Sequence, residues 1–316
     1  MIKKEGHDMA KKIKKAKAKK YSKKIGLALG GGSVRGLAHI GVLKVLDEEN
    51  IPISCIVGTS VGAVIGAAYC SGLRGTEIEK FALSTDFREL LDFTIPKRGL
   101  LAGRKLEGLM SAITRDKTFE DLLIPLSVVA TDLNKSEKVV LTKGNVARAI
   151  RASIAMPPFF TPVLIENYEL ADGGIVDPVP ASNVKDMGAD VVVAVDISYD
   201  LKEEHAENSN NPDKSGFAHL FYESFISTEY NLAREIFRKK KIKYLPRFLK
   251  RVIIGIIDKV LHPKKIIKFI AGRQIPDILL IMMKEQNILV NQLTIEKLKD
   301  KDINYVIKPE FKNIFI

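Results

Sequence analysis

Ser60 is the side chain in this sequence best placed to do chemistry. It stands in Gly58-Thr59-Ser60-Val61-Gly62, between the apolar run Cys55-Ile56-Val57 and a small-residue segment, Val61-Gly62-Ala63-Val64-Ile65-Gly66-Ala67-Ala68, at helical spacing. Strand, sharp turn and helix in that order make a nucleophile elbow. Gly58 and Gly62 let a strained turn push the hydroxyl into the open, and the helix N-terminus behind it favours negative charge. A plainer reading, a glycine-rich turn whose serine merely caps a helix, covers the same five residues. The strand before and the helix after favour the nucleophile.

A serine hydroxyl is a poor nucleophile until a neighbouring base takes its proton. In triad hydrolases that base is a histidine held by a carboxylate. Of the five histidines, His7 falls in a lysine-rich tail and His39 in the first helix, where packing is the expected use. His205, His219 and His262 lie in a basic region, and none of them follows a strand. Asp172, in Asp172-Gly173-Gly174 after a strand around Tyr168-Glu169-Leu170, is the other candidate. A carboxylate acting alone can serve as base when partial burial raises its pKa. Its bland reading is a turn aspartate before glycine.

A second glycine-rich loop, Gly30-Gly31-Gly32-Ser33-Val34-Arg35-Gly36, follows the strand Lys24-Ile25-Gly26-Leu27-Ala28-Leu29. The dinucleotide fingerprint fails in either register: from Gly30 the sixth position is Arg35, and from Gly31 the third is Ser33. No acidic residue ends the next strand where a ribose would need it, and the Gly-Lys-Ser/Thr ending of a phosphate loop is missing. What remains is a run of unencumbered backbone N–H groups at a helix start, which is how an oxyanion hole is built. Gly31, Gly32 and Ser33, with Val61, are the candidate donors. Arg35 either orients this loop, meets a phosphate, or makes an ordinary salt bridge.

The elements that must position these residues can be read around them. Leu37, Ile40, Leu43, Val45 and Leu46 mark a helix ending near Asn50, and Ile51-Pro52 turns the chain into the strand before Ser60. Further on, Thr76-Glu77-Ile78-Glu79 reads as a capping box, Lys105 to Ile113 as a short helix, and 126–131 and 138–142 as strands. Asn145 caps a helix from Val146 to about Ala155, stopped by Pro157-Pro158. Val191-Val192-Val193-Ala194-Val195 is a continuous apolar strand of the kind a parallel sheet buries on both faces. Strands alternating with helices predict an α/β protein, a three-layer α/β/α sandwich with a mainly parallel central sheet.

Four blocks resemble one family. These are Leu27 to Gly41, Gly58 to Gly62, Ala152-Ser153-Ile154-Ala155-Met156-Pro157 with Phe160 and Pro162, and Asp172-Gly173-Gly174. In order and spacing they look like the bacterial patatin-like phospholipases. The resemblance covers about residues 25–200, and Asn304 to Pro309 looks like the family's closing strand. It implies a patatin-like fold and a serine–aspartate dyad that hydrolyses acyl esters of lipids without metal or other cofactor. Carried onto this sequence, Ser60 is the nucleophile and Asp172 the base, the Gly30–Ser33 loop forms the oxyanion hole, and Arg35, Gly58, Gly62, Gly173 and Gly174 support them. Ser33 departs from the pattern, standing where the family usually has glycine, so a positive φ there would be strained.

The 316 residues, 46% of them hydrophobic, are enough to bury a substantial core, and no long stretch is apolar enough to span a bilayer. The net charge of +12 is unevenly spread. Residues 1–24 carry eleven lysines against Glu5 and Asp8, and 234–273 carry fourteen lysines and arginines against Glu235 and Asp258, so the body between is acidic. The chain therefore divides into a basic disordered tail (1–24), a catalytic domain (25–200), a basic helical insertion (201–275) and a C-terminal segment completing the catalytic domain (276–316). In the insertion, 202–216 reads as a linker. Phe248, Val252, Ile256 and Val260 line one face of an amphipathic helix, flanked by Arg238-Lys239-Lys240-Lys241 and Lys264-Lys265. That face suits an anionic membrane surface, or else packs on the acidic core or another subunit. The tail lacks the apolar core of a signal peptide, and Cys55 and Cys70 flank Ser60 as small buried thiols, so the expected setting is cytoplasmic and peripheral at the inner membrane surface. The expected partners are a phospholipid or lysophospholipid and a membrane, with no nucleic acid. A nucleic-acid role lacks interleaved aromatics or a binding module. A non-catalytic membrane scaffold and a Ser-His-Asp esterase remain the alternatives.

Overall fold

A computed structural model describes residues 23–92, 94, 98–198 and 277–309. The tail before Lys23 and the insertion with its amphipathic row, together with His7, His205, His219 and His262, lie outside the described residues.

The sequence reads into elements as β1 (Ile25–Leu29), α1 (Ala38–Glu48), β2 (Ile53–Thr59), α2 (Val61–Cys70), α3 (Gly75–Ser84), α4 (Arg104–Thr114), β3 (Leu126–Asp132), β4 (Glu137–Leu141), α5 (Val146–Ser153), β5 (Val163–Ile165), β6 (Tyr168–Asp172), α6 (Ala181–Asp186), β7 (Val191–Val195), α7 (Asp277–Lys297) and β8 (Tyr305–Ile307). Eight strands form one sheet in the order β5-β6-β3-β2-β1-β7-β8, with β4 also on β3. Neighbours from β3 across to β8 are parallel, whereas β4 and β6 pair with β3, and β5 with β6, antiparallel. The sheet is thus mixed, its parallel part the larger.

Strand alternation sends side chains to two different cores. Leu27, Leu29, Ile56, Leu126, Val128 and Val195 join the larger one with residues of α1 to α5. Ala28, Cys55, Val57, Val129, Val192 and Ala194 face the other way, against Val184 and Ala181 of α6 and against Leu298 and Ile303. Helices therefore cover both faces of the sheet, the three-layer α/β/α sandwich. Among the cover helices α2 is deeply set, with Gly62, Ala63, Gly66, Ala67 and Ala68 buried along it. Small side chains let it lie close on the sheet, so its N-terminus is held firmly at the end of β2. Among the described residues no helix is long and apolar enough to cross a membrane.

Candidate active site

Sheet register explains how two residues far apart in sequence meet. One edge of β3 is taken by β4, with Val129 opposite Val140 and Ala130 opposite Val139. β2 and β6 must share the other edge. β2 ends with Thr59 opposite Val129, and β6, running the opposite way, ends with Asp172 opposite Ala130. The two strands abut end to end at adjacent register positions. Ser60, the first residue past β2, donates its Oγ–H to Asp172 Oδ2 at 2.7 Å.

Ser60 occupies φ 54°, ψ −124°, a conformation that costs of order 1–3 kcal/mol for a side chain larger than glycine. Its surroundings enforce it. A Cβ at Gly62 would stand 2.1 Å from the Leu29 carbonyl oxygen, and one at Gly58 2.5 Å from Ala63 Cα, so neither position accepts another residue without moving the turn. The Ser60 N–H donates to Ser153 Oγ at 2.8 Å, and that hydroxyl donates to the Val129 carbonyl at 2.6 Å. Ser153, wholly buried on α5, ties the elbow to the β3 carbonyl beside it. Its neighbour Arg151 donates to the Ala102 and Thr161 carbonyls and holds α5 to the loops before α4 and β5.

Asp172 is buried. Its Oδ1 accepts the Gly174 N–H at 2.7 Å, its backbone carbonyl accepts the Thr131 hydroxyl, and its N–H donates to Ala155. Burial pushes its carboxyl up to about 6, outweighing the hydrogen bonds from Gly174 and Ser60, which act to lower it. The group is a carboxylate at neutral pH and more basic than an exposed aspartate.

The glycine-rich loop comes down on Ser60: a Cβ at Gly31 would lie 3.3 Å from Ser60 Cβ. The Gly31 N–H, however, donates to the Pro178 carbonyl at 2.9 Å. Gly31 was expected as an oxyanion donor and is instead an anchor, because the segment after Gly174 folds back over the loop. Among the described residues no backbone carbonyl takes the N–H of Gly32, Ser33 or Val61. Ser33 does adopt a left-handed φ of 54° and opens a 3-10 turn, Ser33–Leu37, that leads into α1. Arg35 Nε approaches the Gly32 carbonyl at 3.4 Å, which fits the orienting role.

His39 is more than a packing residue. It is fully buried, its Nε2–H donates to the Gly30 carbonyl at 2.8 Å, and burial lowers its pKa to about 4, so it is neutral. Ser153 and His39 both fall within sequence blocks singled out above, yet their partners are backbone atoms that only the docked sheet supplies. Among the described residues no cluster of histidine, cysteine, aspartate or glutamate could hold a metal ion.

Residues 27–185 match the family description "Patatin-like phospholipase", and the chain belongs to that family. Ser60, Asp172 and the glycine-rich loop all lie within the match. Among curated relatives, an uncharacterized NTE family protein of Mycobacterium bovis is 39% identical over 180 residues, 56% of this chain and 50% of that one. The neuropathy target esterase of Drosophila melanogaster is 36% identical over 183 residues, 55% of this chain and 13% of the esterase. A lysophospholipase of Pyricularia oryzae is 33% identical over 181 residues, 55% of this chain and 12% of the lysophospholipase. The chain therefore spans half or less of the length of these relatives. Among solved structures, VipD from Legionella pneumophila aligns with a TM-score of 0.47 at 17% identity, covering 67% of this chain and 55% of that one.

Proposed function

We propose that this chain is a serine acyl hydrolase cleaving carboxylic esters of phospholipids or lysophospholipids, with Ser60 as nucleophile and Asp172 as base. The observation that carries this is the 2.7 Å hydrogen bond from Ser60 Oγ to Asp172 Oδ2 on a strained elbow. Family membership and relatives named as an esterase and a lysophospholipase support the substrate class. Ser60 Oγ attacks the ester carbonyl carbon while Asp172 takes the hydroxyl proton. The resulting oxyanion is met by the N–H groups of Gly32, Ser33 and Val61, with the α2 N-terminus behind them. Collapse expels the alcohol, which receives the proton held on Asp172, and leaves an acyl-Ser60 ester. Water, deprotonated by the same carboxylate, then attacks the acyl carbon; the bond to Oγ breaks, Ser60 recovers its proton from Asp172, and the fatty acid leaves. A histidine base is the poorer reading, because the Ser60 hydroxyl is already given to Asp172, and His39 donates to the Gly30 carbonyl.

The basic tail and the insertion at 201–275 supply the attraction for an anionic membrane surface, which would hold the chain peripherally where its substrate lies. Product analysis on defined phospholipids and lysophospholipids tests the assignment. Free fatty acid is expected as product, and its release should vanish in Ser60→Ala; undiminished release in that variant would move the chemistry elsewhere.

A further inference from the structure

We infer that Asp177 is a positioning residue for the ester cleavage proposed above, acting through the backbone on either side of it; the inference rests on that reading of Ser60 and Asp172. Residues 173–178 run from the base toward α6 and touch each working part of the site. The Gly174 N–H holds Asp172 Oδ1 at 2.7 Å. The Asp177 carbonyl accepts the hydroxyl of Thr59, the residue before Ser60, at 2.8 Å. The Pro178 carbonyl accepts the Gly31 N–H at 2.9 Å. A shift of this short segment would therefore displace base, nucleophile and oxyanion loop together.

The side chain that fixes the segment is Asp177, which is 0% exposed. Its Oδ2 accepts from Lys138 Nζ of β4 at 2.8 Å, and Lys297 Nζ near the end of α7 lies 3.8 Å from Oδ1. Lys138 also donates to Asn183 Oδ1 of α6 at 2.9 Å. Two elements that carry no reacting atom, β4 and α7, thus converge on one carboxylate, and a third, α6, holds Lys138 beside it. The carboxylate is buried while both lysines are partly exposed, and what the pair supplies is a fixed position for the carboxylate and for the backbone attached to it. Lys297 further makes the far end of the chain part of that support.

Lys138→Met, Asp177→Asn and Thr59→Val in the full chain test this, with Lys138→Arg as the conservative control. Each is assayed for kcat and KM on a soluble acyl ester, for its rate of phosphonylation by a small fluorophosphonate, and for thermal unfolding. Lys138→Met and Asp177→Asn are expected to lose about 10- to 100-fold in kcat, with KM little changed and phosphonylation slowed in parallel, the scale of a small misplacement of reacting groups. Lys138→Arg should recover most of that loss. Thr59→Val leaves the ion pair intact and keeps the test alive if the others do not fold; it should show the same pattern more weakly. Variants that unfold at lower temperature yet keep full kcat and phosphonylation rates when folded would overturn the inference and make the pair merely structural. A raised KM at unchanged kcat would also overturn it. An unaltered protein inert toward both ester and fluorophosphonate would instead overturn the hydrolase reading, and this one with it.

Discussion

At the scale of single residues, the proposed chemistry rests on an aspartate made basic by its surroundings. Among its described partners Asp172 has no cation, only the Gly174 N–H and the Ser60 hydroxyl, and burial raises its pKa from 3.8 to about 6. Activity that requires the carboxylate should therefore fall as pH drops through about 6, seen as an acid limb in kcat/KM. The same shift acts on stability with the opposite sense to a salt-bridged aspartate. The folded state holds this proton more tightly than the unfolded chain, so folding is penalised above about 6 and the penalty fades as pH falls toward 4. Asp172→Asn should cut kcat by about 100- to 10,000-fold. At pH 8 it should raise stability by on the order of 2–3 kcal/mol, a gain that disappears near pH 4. Calorimetry across pH checks this, and an acid-independent gain would rule out the raised carboxyl. Ser60 and Asp172, the pair on which the proposal rests, can each be singled out in the sequence, since each sits in a glycine-framed turn at a strand end. Ser153 and His39 were legible as residues but not as parts of the site.

At the scale of elements, the alternation of strands and helices foretold the sandwich, and Asn145 caps its helix as expected, accepting the Arg148 N–H at 2.9 Å. The start of α3 was misplaced. Its N-cap is Arg74, whose N–H is taken by Glu77, and Asp47 of α1 accepts the Gly75 N–H at 2.9 Å. The Asp47 part of that cap comes from another helix, which a local motif cannot reveal. The antiparallel end of the sheet was equally hidden, because the lodging of β6 against the end of β2 depends on which edge of β3 is left open. Gly31 was misassigned for a related reason: its acceptor, Pro178, lies far along the chain. The left-handed Ser33 yields a prediction about the loop. In the proposed mechanism its N–H, not its hydroxyl, meets the oxyanion. Ser33→Gly should therefore keep kcat close to normal, while Ser33→Val, β-branched at a positive φ, should lose at least about 10-fold through misplacement of the donor. Steady-state kinetics on a soluble ester distinguishes the two, and equal loss in both would implicate the hydroxyl instead.

At the scale of the whole molecule, the sequence joins an acidic body to two basic stretches, residues 1–24 and 234–273. Each basic residue near an anionic surface adds about 1 kcal/mol of attraction. Deleting 217–273 should therefore weaken sedimentation with anionic vesicles, more so at low salt, while activity on a soluble ester is retained. Binding that is unchanged and insensitive to salt would remove the insertion from that role. The catalytic proposal stands apart from these outcomes, because its parts are gathered by β2, β3, β6 and α5. Mapping a fluorophosphonate adduct by peptide mass tests it most directly. The account predicts one adduct, on the peptide carrying Ser60, absent in Ser60→Ala and formed far more slowly in Asp172→Asn; an adduct on a different residue, with ester hydrolysis intact in Ser60→Ala, would contradict it.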